Sequence, residues 1–215
     1  MNDFYIFLKN PICFDNYSKL KWYHFVKLFI LYLISIIPIV LIAYITCKLF
    51  GIIHKQIELN LLMKFLLVVL LAPVYEEIFF RSLLKFNRLT VSLFIVILVG
   101  FILWTIFKEK SIYFIYSSAV LLATIIMITL FPIATISKFV EKNIKCFFYL
   151  TAILFGIFHA INFTGNPWII LLFSFILGGP QIVAGLILGY IRLRFGLVYS
   201  ILFHMLINSS VLLAP

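Results

Sequence analysis

Hydrophobic residues fall into seven runs separated by short polar connections. A helix needs about 20 apolar residues to cross the hydrocarbon core of a bilayer, and most of these runs are close to that length. Apolar residues lie on all sides within each run rather than at alternate positions, which excludes the strands of a membrane barrel. The pattern predicts an all-α, polytopic transmembrane helix bundle of about seven spans, with six to eight as the range. The predicted helices are Val26–Thr46, Leu61–Leu84, Val91–Phe107, Ile112–Ser137, Phe147–Phe163, Ile169–Ile191 and Leu197–Leu213.

Composition supports this interpretation and excludes a soluble domain. Of the 215 residues, 65% are hydrophobic and only 11% are charged, whereas roughly a quarter of the residues of a soluble domain are charged. The first run follows a polar stretch, exceeds the length of a signal-peptide core and lacks a small-residue cleavage pattern, so we expect a retained span. We therefore divide the chain into a cytoplasmic N-terminal tail, residues 1–25, and a single membrane domain, residues 26–215.

The net charge of +10 reflects membrane topology rather than a nucleic-acid partner. Lysines and arginines cluster at the ends of apolar runs, where they meet lipid headgroups. Connections on the N-terminal side carry eleven of them and those opposite carry five. The positive-inside rule then places the N-terminus in the cytoplasm of a multi-pass protein of the cell membrane. The three cysteines are too widely spaced for a metal or redox motif.

Prolines and glycines mark where the predicted helices bend. Pro73 removes a helical hydrogen bond, which would free the carbonyl of Val69 and turn the next residues toward the bundle interior; the alternative is that a membrane helix simply tolerates the proline. Gly178-Gly179-Pro180 predicts a break in the sixth helix. Gly185 and Gly189, four residues apart, predict a smooth face for close helix packing.

Two adjacent carboxylates are the only acidic residues inside the apolar runs. A charge at the bilayer centre costs on the order of 3 kcal/mol by insertion scales, which is usually tolerated for function. Glu77 and Arg81 are four residues apart on one helix face, so they can pair and neutralise each other. Glu76 points about 100° away from that pair and has no local cation. It is therefore either a hydrogen-bonded packing residue or, as we favour, a general base facing a cavity.

Two histidines and an asparagine are the candidate partners of Glu76. His159 lies in the fifth predicted helix, and His204 and Asn208 share a face of the seventh. Counted from the nearest cytoplasmic charges at ~1.5 Å of rise per residue, Glu76, His204 and His159 lie about 13, 15 and 21 Å deep. These side chains are therefore expected to converge.

Such a set of side chains favours hydrolysis. A carboxylate, two imidazoles and an amide can polarise a water molecule directly, or through a divalent metal such as zinc held by His159 and His204 with Glu76 or Asn208. Asparagine is an unusual zinc ligand, so Asn208 can instead donate to an oxyanion. An aspartyl dyad is excluded because both aspartates lie in the polar N-terminal region, and no His-Glu-x-x-His motif exists.

Three motifs, each on a separate predicted helix, resemble those of a known family. They are Glu76-Glu77-x-x-x-Arg81, Phe155-x-x-x-His159 and His204-x-x-x-Asn208. In this order they are similar to the CPBP family of intramembrane metalloproteases, which includes CAAX proteases and bacteriocin-processing proteins and is also called the Abi family. The small size is typical of a compact bacterial member.

The resemblance implies roles for these residues. Glu76 would activate the hydrolytic water. His159, His204 and Asn208 would hold the water or metal and the oxyanion, while Glu77 and Arg81 would support the site. The implied activity is cleavage of a membrane-associated peptide or protein, in CAAX-type processing, peptide-leader processing or bacteriocin self-immunity.

Two other functions fit the same sequence. The first is a non-proteolytic immunity or scaffold protein that binds a peptide toxin or a partner's transmembrane helix, with the face of Gly185 and Gly189 as its surface. The second is a proton-coupled transporter, because glutamate and histidine also form proton relays. No inverted repeat is visible in the sequence, which disfavours the transporter.

Overall fold

The computed structural model is almost entirely helical over the residues that it describes. Two of the predicted helices fall largely outside the described residues. They are Val91–Phe107 and Ile112–Ser137, and of the second only the end is described. The described ranges are 2–55, 58–85, 91–92, 95–96, 99–100 and 133–212.

The first predicted span is confirmed as a helix and extends about one turn further at each end. This helix, α2, runs over Trp22–Phe50. It ends at Gly51, which has a φ of 64° and whose N–H bonds to the carbonyl of Cys47. This left-handed conformation suits glycine because glycine has no Cβ. A shorter helix that the hydrophobic pattern did not predict, α1 (Asn2–Lys9), precedes it.

The second predicted helix is continuous but changes its winding. It begins as α3 (Leu61–Lys64), where the side chain of Asn60 accepts a hydrogen bond from Met63 N. A π-helical stretch follows over Phe65–Leu71. The chain then returns to α-helix in α4 (Ala72–Arg81) and finishes in a 3₁₀ turn over Ser82–Leu84.

The fifth and seventh predicted helices are also confirmed, with small shifts of their ends. The preceding helix, α5 (Ile133–Lys142), covers the end of the fourth predicted run. Next comes α6 (Ile144–His159), which continues as a 3₁₀ turn over Ala160–Asn162. The last helix, α10, spans Leu197–Leu212.

The sixth predicted helix is in fact three helices. They are α7 (Pro167–Leu172), α8 (Ser174–Leu177) and α9 (Gly179–Arg194). The break between α8 and α9 falls at the predicted Gly-Gly-Pro sequence. Two-residue strands β1 (Ile53–His54) and β2 (Phe163–Thr164) pair in antiparallel fashion between the connections that follow α2 and α6, an association that no sequence pattern predicted.

Helices α6 and α9 cross at near-contact distance because glycines line their interface. A Cβ at Gly185 would lie 2.9 Å from the Cα of Ala152, and one at Gly189 would lie 2.9 Å from the ring of Phe148. The predicted packing role of these two glycines is therefore confirmed. Gly156 of α6 makes the closest approach, toward Ile182 and the carbonyl oxygen of Gly178.

Gly156→Ala is expected to destabilise the protein. The added Cβ would lie 2.2 Å from Cγ1 of Ile182 and 2.6 Å from the backbone oxygen of Gly178. The crossing must open to admit it, at about 1–3 kcal/mol, which outweighs the gain in helix propensity. Thermal unfolding of the purified protein in detergent measures the effect. Gly100→Ala is the matched control, because a Cβ there meets no described atom within 4 Å; equal melting temperatures would contradict a tight crossing.

The core of the described bundle is aromatic and aliphatic. Phe148, Leu188 and Phe203 are fully buried where α6, α9 and α10 meet. Phe4 and Phe7 of α1 join the same core, with their rings against Tyr190. The N-terminal helix is thus packed onto the bundle.

Among the described residues, two helical stretches are long and apolar enough to cross a membrane, Trp22–Phe50 and Ile144–Asn162. Only 11% of the apolar window of the first is buried, and side chains such as Ile34 and Ile37 are more than 60% exposed. Contiguous apolar surface of this kind suits contact with lipid. The count of seven spans and the orientation of the N-terminus stay predictions.

Candidate active site

A buried carboxylate, Glu77, lies at the centre of the polar cluster inside the bundle. It is fully buried, and its Oε2 accepts a hydrogen bond from Nε of Arg81 at 3.3 Å, as the spacing of four residues predicts. The structure adds two donors from α10. Ser200 Oγ donates to Oε2, and Nδ1 of His204 lies 3.1 Å from Oε1.

Phe155 organises the other side of this cluster. Its ring lies 5.1 Å beneath the guanidinium carbon of Arg81, a cation–π contact for a cation that is buried. The same ring makes edge contacts with the imidazoles of His159 and His204, at 4.6 and 5.6 Å between centroids. The Phe155 carbonyl oxygen lies 2.7 Å from Nδ1 of His159. One residue therefore orients both histidines.

Glu76 faces both histidines, as the sequence analysis expects. Its Oε2 lies 3.6 Å from Nε2 of His204 and 3.8 Å from Nε2 of His159. The side chain is 30% exposed, yet Oε2 itself is buried and has no hydrogen-bond partner among the described residues. Glu76, His159 and His204, predicted on three separate helices, thus meet at one point.

The hydrogen bonds behind the two rings determine which nitrogen carries the proton. A carbonyl oxygen can only accept, so Nδ1 of His159 is the donor. The carboxylate of Glu77, already bonded to Arg81 and Ser200, likewise accepts a hydrogen bond from Nδ1 of His204. In the neutral form of both rings the two Nε2 atoms are then acceptors. In that form three acceptors converge, two imidazole nitrogens and Oε2 of Glu76, and a proton donor between them would satisfy them.

The separations of 3.6 and 3.8 Å exceed the 2.7–3.2 Å range of a direct N–H···O bond. Oε2 of Glu76, which has no partner among the described residues, and the two nitrogens can therefore be bonded by a water that approaches them from one side. A water can donate to Oε2 of Glu76 and to one of the two nitrogens. Its oxygen lone pairs then remain available for attack on a carbonyl carbon.

Asn208 lies one helical turn beyond His204, with its amide held by another helix. Its Nδ2 donates to the carbonyl of Val68 at 2.8 Å. The π-helical turn explains why this carbonyl is available. Ala72 N–H bonds five residues back, to Leu67, and in that register the missing N–H of Pro73 would have bonded to Val68. The prediction of Val69 as the freed carbonyl assumed the α-helical register, and the accepting carbonyl is that of Val68.

The donor types at this site are those that zinc takes, imidazole nitrogen and carboxylate oxygen. However, no group of three or more His, Cys, Asp or Glu side chains is placed to hold a metal ion in the described part of the chain. The described arrangement therefore does not fit a metal ion with three such ligands. Zinc stays a prediction from the sequence.

A family comparison agrees with this geometry. The family model described as "Type II CAAX prenyl endopeptidase Rce1-like" matches residues 58–210, more than two thirds of the chain. The chain belongs to this family. The matched range includes the three helices that bring Glu76, His159 and His204 together, and the resemblance stated from the motifs is confirmed. As a member of a family of membrane-embedded CAAX endopeptidases, the chain is a membrane protein. No curated protein and no solved structure matches it significantly.

Two residues of this CAAX endopeptidase family member escaped the sequence reasoning. Ser200 lies four residues before His204, hence on the same face of α10, and this spacing was the signal that could have identified it. Arg192 was counted only among the charges at the membrane surface. It is instead 2% exposed, and its guanidinium donates to backbone carbonyls and to a tyrosine. A charge count does not distinguish a headgroup contact from a buried hydrogen-bond donor.

Proposed function

We propose that this chain is an intramembrane, glutamate-dependent endopeptidase that hydrolyses a membrane-anchored peptide or protein near the cytoplasmic interface. The observation that carries the proposal is the convergence of Oε2 of Glu76 with Nε2 of His204 and of His159, at 3.6 and 3.8 Å. Both rings are held by hydrogen bonds at Nδ1, so their free nitrogens face the carboxylate. Membership of an endopeptidase family gives the reaction class.

In the proposed reaction, Glu76 acts first as base and then as acid. It removes a proton from the bridging water as the water oxygen bonds to the peptide carbonyl carbon, and the carbonyl π electrons move to the oxygen. The C–N bond of the tetrahedral intermediate then breaks, and Glu76 returns its proton to the leaving nitrogen. His159 and His204 orient the water through Nε2. General acid–base catalysis of this kind typically supplies 10²–10⁴-fold in rate.

Asn208 is proposed to stabilise the oxyanion. Its amide nitrogen carries two protons, and the bond to Val68 at 2.8 Å uses one of them. The same bond fixes the direction of the amide, so the second proton is preorganised for an oxygen that develops negative charge.

The proposed substrate class is a protein or peptide processed in CAAX-type fashion, because the family description names that activity. Leader-peptide processing and bacteriocin self-immunity are the other roles proposed for the same chemistry. We further propose that the protein spans a bacterial cytoplasmic membrane several times with its N-terminus in the cytoplasm, which the distribution of lysine and arginine supports.

Hydrolysis by the purified protein in proteoliposomes tests the proposal. The substrates are a membrane-anchored peptide ending in a prenylated CAAX sequence and an unprenylated hydrophobic leader peptide, with products identified by mass spectrometry. His204→Ala is expected to lower the rate by at least about 10²-fold, because it removes one of the groups that orient the water. His54→Ala is the matched control, since His54 is exposed on β1.

Turnover by His204→Ala equal to that of His54→Ala would contradict the mechanism. Absence of cleavage of both substrates by the wild-type protein would contradict the proposed activity itself. Metal analysis of the same preparations addresses zinc separately. One equivalent per chain in the wild-type protein that is lost in His204→Ala would support the predicted metal.

A further inference from the structure

Arg192 is a buried cation whose hydrogen bonds go to neutral oxygens, two backbone carbonyls and a tyrosine hydroxyl. Its Nε donates to the carbonyl of Arg81 at 3.3 Å and its Nη2 to the carbonyl of Lys85 at 3.2 Å. These carbonyls lie where α4 and its 3₁₀ extension end, and the end of a helix leaves carbonyls unpaired and carries partial negative charge. Arg192, near the end of α9, thus donates hydrogen bonds to the free carbonyls at the end of the helix that carries the two glutamates.

The third hydrogen bond of Arg192 joins it to a residue outside the range that the family model matches. Its Nη1 lies 3.1 Å from the hydroxyl of Tyr17, and residue 17 precedes the matched range of 58–210. The Tyr17 ring in turn lies 4.3 Å beneath Nζ of Lys85. A Cβ at Gly196 would lie 3.7 Å from this ring.

Further bonds attach the same N-terminal segment, residues 10–18, to the bundle. The carbonyl of Phe14 accepts a hydrogen bond from Nζ of Lys85 at 2.9 Å, and the N–H of Ser18 donates to the carbonyl of Arg194 at 2.9 Å. The guanidinium of Arg194 lies 4.7 Å over the Phe14 ring. The segment is therefore held between the end of the glutamate helix and the end of α9.

We propose that Arg192, together with Tyr17, is a positioning residue for hydrolysis. The physical connection has four steps. Arg192 holds the carbonyl of Arg81, the side chain of Arg81 holds Glu77, Glu77 holds His204, and His204 faces Glu76. The N-terminal segment thereby takes part in maintaining the site, although it lies outside the region that defines the family. The expected changes in kcat rest on the proposed function, whereas the attachment of the helix end by Arg192 does not.

Conservative substitutions test the proposal. Arg192→Lys keeps the charge, but one ammonium group cannot span the three acceptors that a guanidinium reaches. Because a misplacement of about 1 Å can cost 10²-fold in rate, we expect kcat per folded enzyme to fall by at least about tenfold, with KM within about twofold. Tyr17→Phe removes one hydrogen bond and is expected to lower kcat about fivefold. This second variant keeps the proposal testable if Arg192→Lys folds poorly.

The controls are Lys142→Arg, a charge-conserving exchange at an exposed site of α5, and Tyr44→Phe, at a site that is 59% exposed. Both should leave kcat within about twofold of the wild-type value, the most that an exposed substitution should change. A solely structural role for Arg192 would lower the melting temperature and the yield without changing kcat per folded enzyme, and that result would overturn the proposal.

Amide hydrogen exchange provides a measurement that does not depend on activity. Arg192→Lys should accelerate exchange over residues 82–85, where the 3₁₀ turn loses its attachment, and Lys142→Arg should not. If kcat falls but exchange at residues 82–85 is not faster, the hydrogen bonds from Arg192 to the helix end are not the cause of the fall, and the proposal is overturned. Failure of the wild-type protein to hydrolyse either substrate would instead refute the proposed function, and exchange would still decide whether Arg192 holds the helix end.

Discussion

Glu76→Gln is expected to lower hydrolysis by about 10³-fold, since a glutamine cannot take the proton of the attacking water. The fold should remain intact or become more stable. Oε2 of Glu76 now faces two imidazole nitrogens that are themselves acceptors, at 3.6 and 3.8 Å. A glutamine amide is nearly the same size and offers two donors to those nitrogens.

The measurement pairs initial rates in proteoliposomes with thermal unfolding in detergent. Glu58→Gln is the matched control. It makes the same chemical change away from the site, because Glu58 is exposed just before α3. A Glu76→Gln protein that still cleaves at the wild-type rate would exclude Glu76 as the base. A large fall in its melting temperature would instead contradict the assignment of both Nε2 atoms as acceptors.

Glu77→Met is expected to destabilise the protein by about 3–5 kcal/mol, because it leaves the buried guanidinium of Arg81 without its counter-charge. The double variant Glu77→Met/Arg81→Met should recover most of this loss. Replacing both members of a buried ion pair by apolar residues of similar volume is often neutral or stabilising. Ser200 also tolerates the change, since its hydroxyl lies 3.0 Å from the carbonyl of Leu188 and can donate there instead.

Activity should not recover with stability in the double variant. Nδ1 of His204 would lose the carboxylate that lies 3.1 Å away, so neither the tautomer nor the ring orientation would be determined. A loss of about 10²-fold relative to wild type is expected, typical of removing the carboxylate that orients a functional histidine. The double-mutant cycle is completed by Arg81→Met alone. Wild-type turnover in the stable double variant would show that Glu77 serves only to compensate Arg81.

Local spacing along helices accounts for the parts of the site that the sequence predicted. The pair of Glu77 and Arg81 follows from the helical period alone, because residues four apart face the same way wherever the helix lies. The break before α9 follows equally from Gly178-Gly179-Pro180, and the close crossing from Gly185 and Gly189. Each of these features was indicated by residues that lie close together in the sequence.

Contacts between helices account for the parts of the site that the sequence did not predict. Ser200 lies on the predicted face of α10, yet only the rotation of that helix against α4 brings its hydroxyl to Glu77. The accepting carbonyl is that of Val68 and not Val69 because the helix winds as a π-helix before Pro73, and no pattern in the sequence predicted that winding. Arg192 was counted as a surface charge because its acceptors belong to residues more than a hundred positions away.

The sequence by itself determined that this is a membrane-embedded helical protein of the CAAX endopeptidase family, with one paired and one unpaired carboxylate. Hydropathy, motif order and helical period carry that information locally. Only the tertiary structure decided what the unpaired Glu76 faces and to which group the Nδ1 atom of each histidine donates. Those properties depend on distances and rotations between helices, and the bonds from Phe155 and Glu77 that set them join side chains whose approach no local spacing specifies.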